Sequence, residues 1–336
     1  MATPTAPMPT PMRIFETLRA FQQTAALRSG IELDVFTLIS QGANTAREIA
    51  VKCGASERGV RILCDYLVTD GLLTKQDNTY ACTAESAAFL DRNSPACIAS
   101  AAMFLADPEQ VNSTNTLTEA VRRGGTPEAN NGAVLPDHPM WVLFARAMAP
   151  MMGMAGRAIA ETVSGTGPLK VLDIAAGHGM FGIYIAQQNP QAQITAVDWA
   201  PVLEVAKENA KKLGVGDRLH LLPGSAFEVD YGTGYDLVLI TNFLHHFDPP
   251  TNEKFLRKVH AALKTGGRAV TLEFCPNDDR VTPVTPARFS LTMLAGTPHG
   301  DAYTFRELDT MFSNTGFSHS EQQMLPSEQS VIISTK

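Results

Sequence analysis

The sequence predicts an α/β protein: a doubly wound, mostly parallel sheet closed by an antiparallel hairpin, with a mainly α domain in front of it. Three observations carry this. Strand-like and helix-like runs alternate from Leu169 onward, the pattern of a parallel sheet covered on both faces. Residues 13–105 instead show helical periodicity interrupted by one hairpin. The chain has 336 residues, 44% hydrophobic and 18% charged, enough for two cored domains and too apolar for a disordered chain.

The front half is read first. Residues 1–12 carry Pro4, Pro7, Pro9 and Pro11 without an apolar stretch, and read as a disordered tail, not a signal peptide. Residues 25–38 place Leu27, Ile31, Val35 and Leu38 on one helix face. Thr45 with Glu48 three residues on is a capping box for a helix over 46–53. Ser56 caps the next helix, whose stripe is Val60, Leu63, Leu67 and Val68. Residues 73–75 and 79–82 flank a turn at Asp77-Asn78. Three helices and a small hairpin outline a winged helix over 13–105. Nucleic-acid binding is disfavoured, because that segment holds nine basic and ten acidic side chains, and the whole chain has 27 basic and 34 acidic, a formal charge of −7. Dimerisation or substrate capping suits the domain better.

Residues 106–165 read as a connector with pocket-lining helices. Gly124-Gly125, Pro127 and Pro136 mark loops around a helix near 111–122, and a long helix over 140–163 carries Trp141, Phe144, Met148, Met151, Met152 and Met154. Core packing explains most of that stripe, and a methionine cluster also makes an adaptable pocket wall. From 166 to 336 the strands fall at 170–174, 193–197, 219–222, 235–240 and 269–274. The helices fall at 181–188, 201–213, 252–263, 287–294 and 304–315, and a closing hairpin spans 318–324 and 330–334. Ligands in such sheets bind beyond the carboxyl ends of the strands.

The first of these strands runs into Asp173-Ile174-Ala175-Ala176-Gly177-His178-Gly179. Gly177 and Gly179 let backbone approach a ligand closely. The string 177–182 also satisfies G-x-G-x-x-G, which fits a nicotinamide dinucleotide. Asp173 separates the two readings. It would repel a pyrophosphate, whereas a sulfonium nucleoside carries a cationic sulfur and an ammonium group. Asp198, at the end of the second strand, suits ribose hydroxyls in either case.

Asp-x-x-x-Gly-x-Gly, Asp198, Asn242-Phe243-Leu244-His245 after the fourth strand and Leu263-Lys264-Thr265-Gly266-Gly267 before the fifth resemble a class I S-adenosylmethionine-dependent methyltransferase with a Rossmann-like fold. With the helical front half, the chain resembles the small-molecule O-methyltransferases of the caffeate and acetylserotonin kind. That resemblance implies S-adenosylmethionine as cofactor, contacts to it at Asp173, Gly177, Gly179, Asp198 and Asn242, Trp199 stacking on adenine, and Ser225 and Phe227 where the family has Gly-Asp-x-Phe. Ser225 replaces that Asp.

The resemblance also implies a general base at His245, with His246 standing where the family has Asp. An imidazole, with an ordinary pKa near 6.5, can take a phenolic proton around neutral pH. Glu273, at the end of the fifth strand, also faces the ligand edge and would orient His245 or a substrate amine. Met148, Met152, His246, Phe289, Met293 and His299 are the expected pocket wall. His178 is expected to act through backbone alone.

The expected reaction is methyl transfer to an oxygen of a small, largely apolar, aromatic metabolite by a cytoplasmic homodimer, with no nucleic acid or membrane partner. The five cysteines are odd in number and scattered, as in a reducing compartment, and no run gives the roughly 20 continuous apolar residues a bilayer needs: 93–106 is uncharged but too short, and the longer uncharged run 174–197 is broken by His178, Asn189 and Pro190. Three alternatives remain: a metal-assisted C-methyltransferase acting on a 2-oxo acid, with His245 and His299 as metal ligands; a nicotinamide-dependent oxidoreductase; and a DNA-binding regulator built on the front domain.

Overall fold

Residues 9–108, 111, 114–127 and 140–336 are described by a computed structural model. The chain divides into two units, Met1–Asp107 and Pro108–Lys336. The first holds α1 (Met12–Glu32), α2 (Val35–Ser40), α3 (Ala46–Cys53), α4 (Glu57–Thr69), β1 (Leu73–Gln76), β2 (Thr79–Cys82), α5 (Ala84–Phe89) and α6 (Ala99–Leu105). Local signals start these helices. Thr45 Oγ1 accepts the Glu48 N–H while the Glu48 carboxylate accepts the Thr45 N–H, and Ser56 Oγ accepts from Gly59 N–H. Asp65 on α4 takes bonds from Lys75 Nζ (2.6 Å) and the Tyr80 hydroxyl (2.7 Å), which ties the hairpin to that helix. Ile31, Val35, Phe36, Ile49, Val60, Leu67 and Leu73 are buried together, each contributing about 1.5–3 kcal/mol of apolar burial.

One helix expected over 25–38 is two. Asp34 takes a left-handed φ of 55° and pairs with Arg92, so the chain turns between α1 and α2 while Ile31 and Val35 still reach the same core. The short helices α5 and α6 were not legible as periodic runs.

The second unit adds α7 (Leu117–Arg123), α8 (Met140–Met148), a 3-10 turn (Ala149–Met152) and α9 (Gly153–Val163). The single helix expected over 140–163 breaks because Pro150 has no N–H to continue it. Met151 and Met154 are exposed, so only Met148 and Met152 of that stripe's later methionines are buried. His138 and residues 1–8 lie outside the described residues.

The sheet that follows has seven strands: β3 (Leu169–Ile174), β4 (Ala192–Asp198), β5 (Leu219–Pro223), β6 (Tyr235–Thr241), β7 (Leu263–Glu273), β8 (His319–Met324) and β9 (Ser330–Thr335). Its helices are α10 (Met180–Gln188), α11 (Ala200–Lys212), α12 (Pro249–Ala262), α13 (Val284–Gly296) and α14 (Phe305–Asn314). The order is β5-β4-β3-β6-β7-β9-β8, parallel from β5 to β7 and antiparallel at β9 and β8. Val171, Leu172 and Ile174 on β3 and 237–240 on β6 are fully buried, as strands covered on both faces must be. The order reverses at β3, which places a crevice beyond the carboxyl ends of β3 and β6. None of the described helices is long and apolar enough to cross a membrane, and the five cysteines are free.

Candidate active site

The loop after β3 is shaped by what each backbone N–H finds. Gly177 has a φ of 56° and open space where a Cβ would stand, the nearest atom being Ala175 O at 3.9 Å. Its N–H donates to Asp198 Oδ2 at 2.8 Å, and Asp198 Oδ1 accepts the Trp199 N–H at 2.7 Å. Burial pushes the Asp198 carboxyl up to about 6 against these two bonds. Gly179 carries a packing constraint. A Cβ there would lie 2.8 Å from Ala206 Cβ, so this glycine also lets α10 meet α11 closely.

Asp173 is fully buried: its Oδ2 accepts the Gly182 N–H at 3.2 Å, and its Oδ1 has no partner among the described residues. Burial raises it to about 7; the Gly182 N–H opposes this and the Asp198 charge adds to it. His178 is not a bystander. It is buried and held neutral, its pKa lowered to about 4 by burial, and its Nδ1 accepts the Met180 N–H at 3.1 Å. Asp173 and His178 thus take two of the first three N–H groups of α10, which a pyrophosphate would need. These two occupied N–H groups disfavour a dinucleotide. The open face over Gly177 and the half-buried Asp198 fit an uncharged ribose beside a cationic group.

Three other expected cofactor residues are engaged elsewhere. Ser225 Oγ accepts the Phe227 N–H (3.2 Å), Phe227 packs among Phe243, Phe247 and Phe255, and Asn242 Oδ1 accepts from Gln329 Nε2 (2.9 Å). Trp199 is half-buried and packs with Trp141, Val142, Ala145, Val202 and Val205.

Beyond β6 a 3-10 turn (Leu244–His246) carries the two histidines. Glu273, buried at the end of β7, organises it. Its Oε1 accepts the N–H groups of Phe243 (3.1 Å), Leu244 (2.9 Å) and His245 (3.4 Å), and its Oε2 lies 2.6 Å from His245 Nδ1. Charge-assisted bonds of this kind contribute about 1.5–3 kcal/mol each. A carboxylate only accepts, so Nδ1 carries the proton and Nε2 keeps its lone pair. Nε2 has no hydrogen-bond partner among the described residues. Phe289 on α13 meets the His245 ring edge-on at 4.8 Å and stacks on Phe274 at 4.2 Å.

His246 lies 4.3 Å from the His245 ring and meets Trp141 edge-on at 5.6 Å. Its Nδ1 donates to Phe243 O, and burial, helped by the neighbouring His245, keeps it neutral with a pKa well below the usual imidazole range. Met148, Met152 and Met293 are buried. His299 is exposed, and the charge it acts on is Asp248. Among the described residues no three His, Cys, Asp or Glu side chains form a group that could hold a metal.

Sequence reasoning passed over two residues that hold this turn. Asn252 on α12 is fully buried and donates to Leu244 O (2.9 Å) and Phe247 O (3.2 Å), and the Tyr303 hydroxyl donates to Phe247 O (2.5 Å). A polar residue inside an α12 otherwise marked by Phe255, Leu256 and Val259 is the one trace Asn252 leaves in the sequence.

Residues 171–267 match the model of a methyltransferase domain, and 15–92 match that of an O-methyltransferase dimerisation domain. The solved structure of a candidate O-methyltransferase from Nostoc punctiforme is 53% identical, with a TM-score of 0.95 over 98% of this chain and 100% of that one. The tetracenomycin polyketide synthesis 8-O-methyl transferase TcmO of Streptomyces glaucescens is 27% identical over 312 residues, 92% of this chain and 91% of that protein. Human N-acetylserotonin methyltransferase, solved with S-adenosylmethionine, shares the fold at 20% identity, with a TM-score of 0.86 over 99% of each chain. The chain belongs to the S-adenosylmethionine-dependent small-molecule O-methyltransferases that carry an N-terminal dimerisation domain.

Proposed function

We propose that the acceptor is a small aromatic hydroxyl compound and that His245 is the base that takes its proton. The observation that carries this is the His245–Glu273 pair. Glu273 fixes the proton on Nδ1, which leaves Nε2 as the lone-pair nitrogen at the ligand edge of the sheet. Phe289, Phe274 and Trp141 give a flat acceptor aromatic surfaces to lie against, and the buried Met148, Met152 and Met293 make that wall adaptable. His246, neutral and tethered to Phe243 O, lines the same place without changing charge.

S-adenosylmethionine supplies an electrophilic methyl on a cationic sulfur. Gly177 and Asp198 would hold its nucleoside, with Trp199 beside them. The protein's own part is to orient the hydroxyl, remove its proton and keep the resulting imidazolium paired with Glu273. Glu273→Gln tests this. A glutamine NH₂ facing Nδ1 would favour the tautomer with the proton on Nε2, so turnover should fall by about 10²–10⁴-fold while S-adenosylhomocysteine still binds. Full turnover in that variant contradicts the assignment. A mass-shift screen over phenols, aliphatic alcohols and 2-oxo acids, with and without chelator, tests the acceptor class: phenols should gain a methyl in chelator, and labelling of the 2-oxo acids alone would overturn it.

A further inference from the structure

His245 is held from two sides, and the second side is a segment with no place in the chemistry described so far. The loop after α13, residues 297–303, crosses behind the base turn. Asp301 N–H donates to His245 O at 3.0 Å, and two residues on Tyr303 bonds Phe247 O. Between them the fit is close. A Cβ on Gly300 would stand 2.3 Å from His245 O, 2.6 Å from Thr297 Oγ1 and 3.1 Å from His246 C. At its start the loop is fixed by the buried Thr297, whose hydroxyl donates to Met293 O (2.7 Å) and accepts the Gly300 N–H (2.8 Å). On its outer side it lies against the segment after α7. Thr126 N–H donates to Thr297 O at 2.8 Å, and a Cβ on Gly125 would stand 2.1 Å from Pro298 O. Neither Gly125 nor Gly300 has a left-handed φ, so space and not backbone conformation requires a glycine at both. Arg280 then pins the far end, donating to Asp301 Oδ2 (3.0 Å) and pairing with Glu307.

We propose that residues 297–303 form a strap that positions the base: Gly125 and Gly300 allow backbone to lie between the segment after α7 and His245 O, and Arg280 holds the strap closed. The strap fixes the main chain of His245 from behind while Glu273 fixes its ring from the front. Gly300 and Arg280 are therefore positioning residues that touch no substrate. This rests on His245 being the base.

The test is proton NMR of the full-length protein combined with kinetics. The Nδ1 proton shared with Glu273 at 2.6 Å should give a far-downfield line, assigned by its loss in His245→Gln. Gly300→Ala should shift or broaden that line and cut turnover by about tenfold or more, with S-adenosylhomocysteine affinity kept within about twofold. Arg280→Ala should act in the same direction more weakly, Arg280→Lys should restore part of the loss, and Val281→Ala, at an exposed neighbour, should do neither. An unmoved line in folded Gly300→Ala overturns the strap. If Gly300→Ala does not fold, Arg280→Ala decides: an unmoved line with full turnover overturns it. A moved line with full turnover overturns instead the base assignment beneath it.

Discussion

Asp173 and His178, which are buried, and Asp198 and His246, which are half-buried, are ionisable groups whose effects on stability run in opposite directions. The two carboxyls are raised, to about 7 and about 6, so the folded chain keeps protons that the unfolded chain has lost. Their contribution to stability therefore falls as pH climbs from about 4 toward 6–7. The two imidazoles are lowered, His178 to about 4, so there the unfolded chain keeps the proton and stability rises as pH climbs toward about 6.5. The two effects offset each other in the native protein, so the prediction concerns a difference. Asp173→Asn can still accept the Gly182 N–H but cannot ionise. Its stability relative to the native chain should grow from pH 4 to about 7 and then level off, read from urea midpoints across that range. A flat difference contradicts the burial argument. The sequence showed Asp173 and the glycines by spacing, but not which way the carboxyl faces. That depends on Gly182, where a side chain would collide with Ile194 and Asp173, and such contacts between α10, β3 and β4 have no local signature.

At the scale of elements, the α10–α11 contact is the sharpest packing constraint near the site. Gly179→Ala places a methyl 2.8 Å from Ala206 Cβ and forces an L side chain to a φ of 72°. A loss of about 1–3 kcal/mol is expected, seen as a lower thermal midpoint and weaker S-adenosylhomocysteine binding. An unchanged midpoint would show that α10 can shift freely. Most strands and helices of the second unit were readable to within a few residues, because parallel strands buried on both faces are short apolar runs between turn residues, but β7 begins at Leu263 and not at 269, and α7 at Leu117 and not near 111. The long helix over 140–163 was misread although its breaker is visible: Pro150 ends α8, and the methionine spacing across it concealed the break. The strap at 297–303 was unreadable for another reason. Its glycines answer to backbone carbonyls distant in sequence.

For the whole molecule, the front unit leaves one apolar face unexplained by its own core. Ile14, Leu18 and Phe21, one helical stripe on α1, are 64%, 64% and 68% exposed, and most of α1 lies within the matched dimerisation domain. A homodimer buried through this face is the expectation. The double variant Leu18→Glu, Phe21→Glu should sediment as a monomer where the native chain sediments as a dimer, and a native monomer at micromolar concentration would contradict it. The front domain's near-balanced charge pointed away from nucleic acid and left dimerisation or substrate capping, and the stripe itself lies N-terminal to the residues that reading emphasised.

The most direct test of the central claim is turnover by His245→Ala, measured against a phenol found in the acceptor screen, alongside calorimetry with S-adenosylhomocysteine. The account predicts unimpaired cofactor affinity and turnover lower by about 10²–10⁴-fold. Native-like turnover in a variant that binds the cofactor normally would remove His245 from the chemistry and contradict the account.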